Sequence, residues 1–141
     1  MENHRTCKAT KALRRPTRLI NVGRAEPFPD PILDLDTTHQ GTAPFAALSY
    51  CWGGQSDFIL TKDLVEQLTA GISLDKWPGT LHDAILITRS LHIEYLWIDA
   101  LCIFQDSKED WVAEAARMRD VYSGAAITIL ASNAVSTGAG V

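Results

Sequence analysis

Apolar positions fall into short blocks separated by clear breaks. Phe45-Ala-Ala-Leu-Ser-Tyr-Cys51 is an apolar run of strand length, stopped by Trp52-Gly53-Gly54. From Thr61, the residues Leu64, Val65 and Leu68 recur at helical spacing, and Gly71 stands where a helix C-cap belongs. Trp77-Pro78-Gly79 punctuates the chain. Thr80 with Asp83 reads as a capping box, opening a helix whose face is Leu81, Ala84, Ile85, Thr88 and Leu91. Tyr95 to Phe104 is apolar on both parities except at Asp99, the pattern of a strand buried on both faces. Ser107 and Asp110 form a second capping box. Beyond it Trp111, Ala115, Met118 and Tyr122 make a stripe that predicts Trp111 and Met118 as core, like Trp97. Ala125 to Leu130 is a further strand. Upstream, Thr17–Val22 and Pro31–Leu35 are strand-like and separated by Gly23, Pro27 and Pro29, which predicts an entry hairpin or a pair of edge strands. Thr37 to Pro44 reads as a polar loop.

The order after the hairpin is β-α-α-β-α-β. It predicts an α/β fold with a parallel sheet near residues 45–51, 95–101 and 126–130, flanked by helices near 61–70, 80–91 and 108–122. Ligands in such sheets bind beyond the carboxyl ends of strands. Two clusters are expected there, Ser49-Tyr50-Cys51-Trp52-Gly53 and Asp99 through Gln105-Asp106.

Composition agrees with one folded domain. The 141 residues are 46% apolar and 21% charged, and no apolar run approaches the ~20 residues of a membrane span. The net charge of −4 is unevenly spread. Residues 1–24 hold seven Lys/Arg against Glu2, a net of +6, which leaves −10 for the remainder. The segment 1–15 reads as a basic, mobile arm. It has no aromatic residue to stack on bases, which argues against a nucleic-acid partner. Cys7, Cys51 and Cys102 are scattered, without a C-x-x-C pair, and read as thiols of a reducing cytosol. A cytoplasmic location and no metal are therefore expected.

Three blocks make the sequence recognisable. Ala47-Leu-Ser-Tyr-Cys-Trp-Gly-Gly54, Tyr95 to Asp106, and Asp110-Trp-Val-Ala-Glu114 with Met118 and Tyr122 resemble, in order, the blocks of the fungal heterokaryon-incompatibility (HET) family. Pro16-Thr-Arg-Leu-Ile20 and Leu81-His-Asp-Ala-Ile85 resemble family segments as well, so the resemblance spans residues 16–141, with the C-terminus expected to fall short of a full domain. HET domains are in turn similar to TIR domains, which implies a TIR-like, flavodoxin-like sheet and a role in allorecognition and programmed cell death.

The resemblance also implies candidate chemistry. Asp110-Trp-Val-Ala-Glu114 looks like the segment that carries the catalytic glutamate of NAD-cleaving TIR domains, although Glu114 follows Trp111 by three residues where TIR sequences commonly have four. Glu114 is then the catalytic candidate, and Ser49, Tyr50, Trp52, Gly53 and Asp99 the residues of an NAD pocket. One carboxylate stabilising a ribosyl cation suffices, because nicotinamide leaves without needing a proton. NAD is thus a substrate, and no cofactor is required. Helical geometry sets Glu114 about 60° from Trp111, on the flank of the stripe. There it either edges a pocket or pairs with Arg117. Asp99 within an apolar strand is either a functional acid or a tie for adjacent backbone. The alternative to an enzyme is a non-catalytic module that self-associates or docks another death-signalling protein, or an inactive shortened family member.

Overall fold

The computed structural model describes residues 15–50 and 58–131, with the backbone but not the side chain of Tyr50. The predicted basic arm up to Arg14, Cys51, Trp52, Gly53 and the closing residues 132–141 lie outside the described residues. The strands are β1 (Leu19–Asn21), β2 (Ile32–Asp34), β3 (Phe45–Tyr50), β4 (Tyr95–Ile98) and β5 (Ile127–Ala131). The helices are α1 (Val65–Ala70), α2 (Gly79–Ser90), α3 (Asp99–Cys102), α4 (Lys108–Ala116) and α5 (Met118–Gly124).

One sheet runs in the order β2-β1-β4-β3-β5. β3 pairs in parallel with β4 and with β5, whereas β1 is antiparallel to both β2 and β4. The chain is thus an α/β fold with a parallel centre and an N-terminal hairpin, as expected. Only β2 of that hairpin is an edge, because β1 is paired on both sides. All of β4 is buried, so both faces of the strand are covered. The stretch Thr37–Gln40, within the expected loop, forms a single 3₁₀ turn opened by the Asp36 side chain, which accepts from the Thr38 N–H.

Helix α1 is shorter than its apolar spacing suggested, since Thr61–Leu64 forms only the leading turn. Gly71 does close it, at φ 111°, its N–H bonded to Gln67 O. A Cβ there would lie 3.2 Å from Ile32 Cγ2, so both the backbone and the packing against β2 call for glycine. In α2 the inward face is Leu81, Ala84, Ile85 and Thr88, while Leu91 falls outside it, as the exposed C-cap. The expected Thr80–Asp83 capping box is absent. The helix starts at Gly79 after Pro78, and Thr80 is buried with its hydroxyl unpartnered among the described residues. Pro78 fixes an extended entry two residues before Thr80, which the pattern marks as the cap.

Two further expectations are corrected. The apolar run from Tyr95 is a strand only to Ile98, and Asp99–Cys102 is a helical turn. An apolar run buried all round fits either state, so periodicity alone does not separate them. The carbonyls that leave the sheet are taken up locally, by Leu60 N on Ala100 O and by the Gln105 amide on Asp99 O and Ile103 O.

The third helix also has a different phase. Ser107 caps α4 through the Asp110 N–H, one half of the expected box, while the Asp110 carboxylate turns to Arg18 and the Phe104 N–H; Trp111 is 45% exposed and Glu114 only 7%. The stripe through Trp111, Ala115, Met118 and Tyr122 assumed one straight helix. Arg117 instead breaks it into α4 and α5, and the Asp110 carboxylate is drawn inward to Arg18. Val121 of α5 is buried, with Met118 and Tyr122 packed beside it.

Candidate functional site

The parallel strands lie in the order β4-β3-β5, so the chain crosses from β3 to one neighbour and then back past it to the other. That reversal marks the carboxyl ends of these strands as the place where an open α/β sheet has a crevice. The β3–β4 register ends at Leu48↔Ile98, so Ser49 and Asp99 are the next residues along the two chain segments there, and both act on Tyr122. Tyr122 reaches in from α5: its hydroxyl donates to Leu48 O at 3.3 Å, and its ring meets Trp97 edge-on at 5.4 Å between centroids. Burial pushes the Tyr122 hydroxyl above its ordinary pKa, helped by the charge of Asp99 and opposed by a hydrogen bond with Ser49. Ser49, Asp99 and Tyr122 therefore form one polar group at the head of an otherwise apolar sheet.

Asp99 is the unusual member. Its Oδ1 is buried and has no hydrogen-bond partner among the described residues. Burial holds its carboxyl above the usual carboxylate range, with the Ala100 N–H opposing. A carboxyl whose folded pKa is raised binds its proton more tightly in the folded state, so its contribution to stability falls as pH rises through the carboxylate range. Replacing Asp99 by Asn removes that cost. We expect Asp99→Asn to raise stability at neutral pH by on the order of 1 kcal/mol and to flatten its pH dependence from about pH 4 upward, measured by urea denaturation between about pH 3 and pH 8.

Glu114 is held elsewhere on α4. Its Oε2 accepts from the Thr17 hydroxyl at 2.9 Å, and the Arg117 guanidinium lies 3.8 Å away. Arg117 in turn donates to Thr17 Oγ1 at 2.7 Å and to Arg15 O at 2.7 Å. Thr17 thus lies between Glu114 and a surface cavity of about 460 Å³ that Arg15, Thr17, Asp36 and Thr37 help to line. No hydrogen bond joins Glu114 to Ser49 or Asp99 among those described. The carboxylates of Asp99 and Glu114 nevertheless flank Cys102, and both act on its thiol, which burial pushes up to about 12. Cys102 is a core thiol and not a nucleophile.

Next to Glu114 the N-terminal segment is fastened again by Arg18. Its guanidinium grips Asp110 through two bonds of 3.1 and 2.7 Å, donates to Cys102 O at 2.9 Å, and lies over the Phe104 ring at 4.8 Å. Asp110 also accepts from the Phe104 N–H at 2.8 Å. The parts played by Thr17, Arg18 and Tyr122 are not visible in the sequence. Each depends on a partner at least 74 positions away in the chain. Among the described residues no group of His, Cys, Asp and Glu could hold a metal ion, and no helix is long and apolar enough to cross a membrane.

The family model described as heterokaryon incompatibility protein (HET) matches residues 45–140. The chain belongs to the HET family. Neither a curated protein nor a solved structure matches it. The matched span of the HET domain opens at the first residue of β3 and takes in β4, β5 and helices α1 to α5, leaving the leading segment, the β1–β2 hairpin and the 3₁₀ turn at Thr37–Gln40 outside. Asp99, Tyr122 and Glu114 all fall within it, whereas Thr17 and Arg18, which fasten α4, do not.

Proposed function

We propose that this HET domain serves in fungal allorecognition and programmed cell death as a TIR-like NAD nucleosidase, with its substrate in the crevice beyond β3 and β4. The observation that carries the reading is the unpartnered, buried Oδ1 of Asp99 beside Ser49 and Tyr122, at the reversal point of the β4-β3-β5 order. A buried acceptor without a donor is costly unless a ligand supplies one, and ribose hydroxyls are such donors. The same strand order supports the likeness to flavodoxin-like sheets, in which the reversal point holds the nucleotide.

In this reading Asp99 accepts a ribose hydroxyl, and Ser49 and the Tyr122 hydroxyl orient the sugar. Glu114 supplies the charge that stabilises the ribosyl cation as nicotinamide departs with the bonding electron pair, and water then takes its place on the sugar. Burial of Glu114 favours this role electrostatically, because a carboxylate acts more strongly in a poorly solvated site. For this role Glu114 must give up the bond it accepts from the Thr17 hydroxyl and turn toward the crevice. Tyr50, Trp52 and Gly53, at and just beyond the end of β3, are proposed as further contacts to the nucleotide.

Glu114→Gln keeps the shape and can still accept from Thr17 but removes the charge, so the loss belongs in turnover and not in folding. We expect nicotinamide release from NAD by the purified domain to fall at least tenfold in Glu114→Gln, with circular dichroism unchanged. Equal release by both proteins would remove Glu114 from the mechanism, and no release by the concentrated parent would favour a non-catalytic interaction module.

A further inference from the structure

The two edges of the sheet are treated differently. At one, β2 is only three residues long, follows Pro31, ends in Asp34, and has α1 packed against it, with Ile72 N bonded to Pro31 O. Short strands, proline, charge and a covering element are the usual means of keeping an edge from pairing. At the other edge, β5 has none of these among the described residues. It is Ile-Thr-Ile-Leu-Ala, with Leu130 73% and Ile127 40% exposed. From Val121 to Val141 the sequence holds no charged residue at all, in a chain whose net charge is −4. Beside β5, the α2 residues Thr80, Asp83, Ala84 and Ile87 leave a small cleft of about 50 Å³ against Ile129, Leu130 and Ala131.

We infer that β5 is a self-pairing edge: two copies of this chain join β5 to β5, antiparallel, about a two-fold axis at Ile129. The backbone sets that register. Ala126 N–H points to Phe45 O, so by alternation Thr128 and Leu130 turn their amides toward β3, while Ile127, Ile129 and Ala131 turn theirs outward. A two-fold at Ile129 pairs Ile129 with its own copy and Ile127 with the partner's Ala131. Every outward N–H and C=O of the strand then finds a partner. On one face Leu130 meets the partner's Thr128 and, diagonally, the partner's Leu130, which covers the most exposed large apolar side chain described in the chain. On the other face the axis brings the two α2 helices to the same side, with Ile87 of each at the seam.

Charge argues for a second copy as the occupant. Near a two-fold axis each residue faces its own duplicate, so any ionised side chain there meets a like charge. Val121 to Ala131, the described stretch through this strand, holds no charged residue, so the paired strands themselves are free of that repulsion; Asp83, which lines the cleft, belongs to α2 and not to the pairing strand. The inference does not depend on NAD cleavage and would hold for a non-catalytic domain.

The test is sedimentation of the full chain across a concentration series, with Leu130→Lys as the interface variant. Position 130 is exposed in the single copy, so lysine there spares the fold. The parent should dimerise, and Leu130→Lys should weaken the dimer at least tenfold. Register is read from cysteine variants in a Cys7→Ser, Cys51→Ser background. Ile129→Cys should cross-link to its own copy under mild oxidation, and Ile127→Cys, opposite Ala131, should not. A parent that stays monomeric at millimolar concentration would overturn the inference. So would a dimer indifferent to Leu130→Lys, or cross-linking that is equal at positions 127 and 129.

Discussion

Truncating Trp97 to Ala should cost the domain about 3–5 kcal/mol, the range for removing a large aromatic side chain from a core. Trp97 is 1% exposed at the centre of β4, between β1 and β3, and supports the edge of the Tyr122 ring. Its loss opens a cavity that the flanking strands cannot close without breaking their ladders. Urea denaturation should show the midpoint falling steeply. Trp111→Ala is the matched comparison: the same residue type, 45% exposed on α4, should change stability by no more than about 1 kcal/mol. Equal losses at both positions would mean that α4 presents Trp111 to the core after all. Because Trp97 also supports Tyr122, the 97 variant should disturb the crevice beyond its effect on stability.

Arg18→Ala should destabilise by about 2–4 kcal/mol, somewhat below the range for breaking a fully buried pair, because both partners keep slight exposure. The Arg18 and Asp110 side chains are 11% and 18% exposed, and the guanidinium also serves Cys102 O and Phe104. Alanine would strand the carboxylate of Asp110 near the core and release the N-terminal segment from α4. The same pair predicts a pH dependence. Burial pushes the Asp110 carboxyl upward, but the Arg18 hydrogen bonds, the Phe104 N–H and the Arg18 charge together hold it below its ordinary value. A depressed carboxyl stabilises the fold above its unfolded pKa, near 4, and that stabilisation is lost as pH falls through the folded value. The difference between parent and Arg18→Ala should therefore be largest near neutrality and shrink below about pH 4. A difference that is constant across that range would mean the pair contributes through packing alone.

What was legible in the sequence is what local chemistry decides. The start of the central strand at Tyr95, though not its reach beyond Ile98, the Gly71 C-cap and the Ser107 cap all follow from residues within a few positions of one another, and these hold. The hairpin was legible too, since prolines and a glycine separate two strand-like runs. The phase of α4 was not. It depends on the break at Arg117 and on Arg18 pulling Asp110 inward from 92 residues away, which turns Trp111 out and Glu114 in. Asp99 was visible as a polar residue in an apolar run, but its position at the start of a helical turn, with an oxygen left unpartnered, was not. Tyr122 has the spacing of a core residue, and only its contacts with Leu48 and Trp97 reveal a polar tip at the strand ends.

On the proposed function, the crevice at the ends of β3 and β4 takes NAD. Titrating the nucleotide into the ¹⁵N-labelled chain and following backbone amide shifts tests it most directly. Saturable shifts should concentrate at Leu48–Ser49, Asp99–Cys102 and Tyr122 and be reduced in Asp99→Asn. No shift at millimolar NAD would contradict it, as would shifts confined to the separate cavity of about 670 Å³ around Arg24, Phe28 and Arg89.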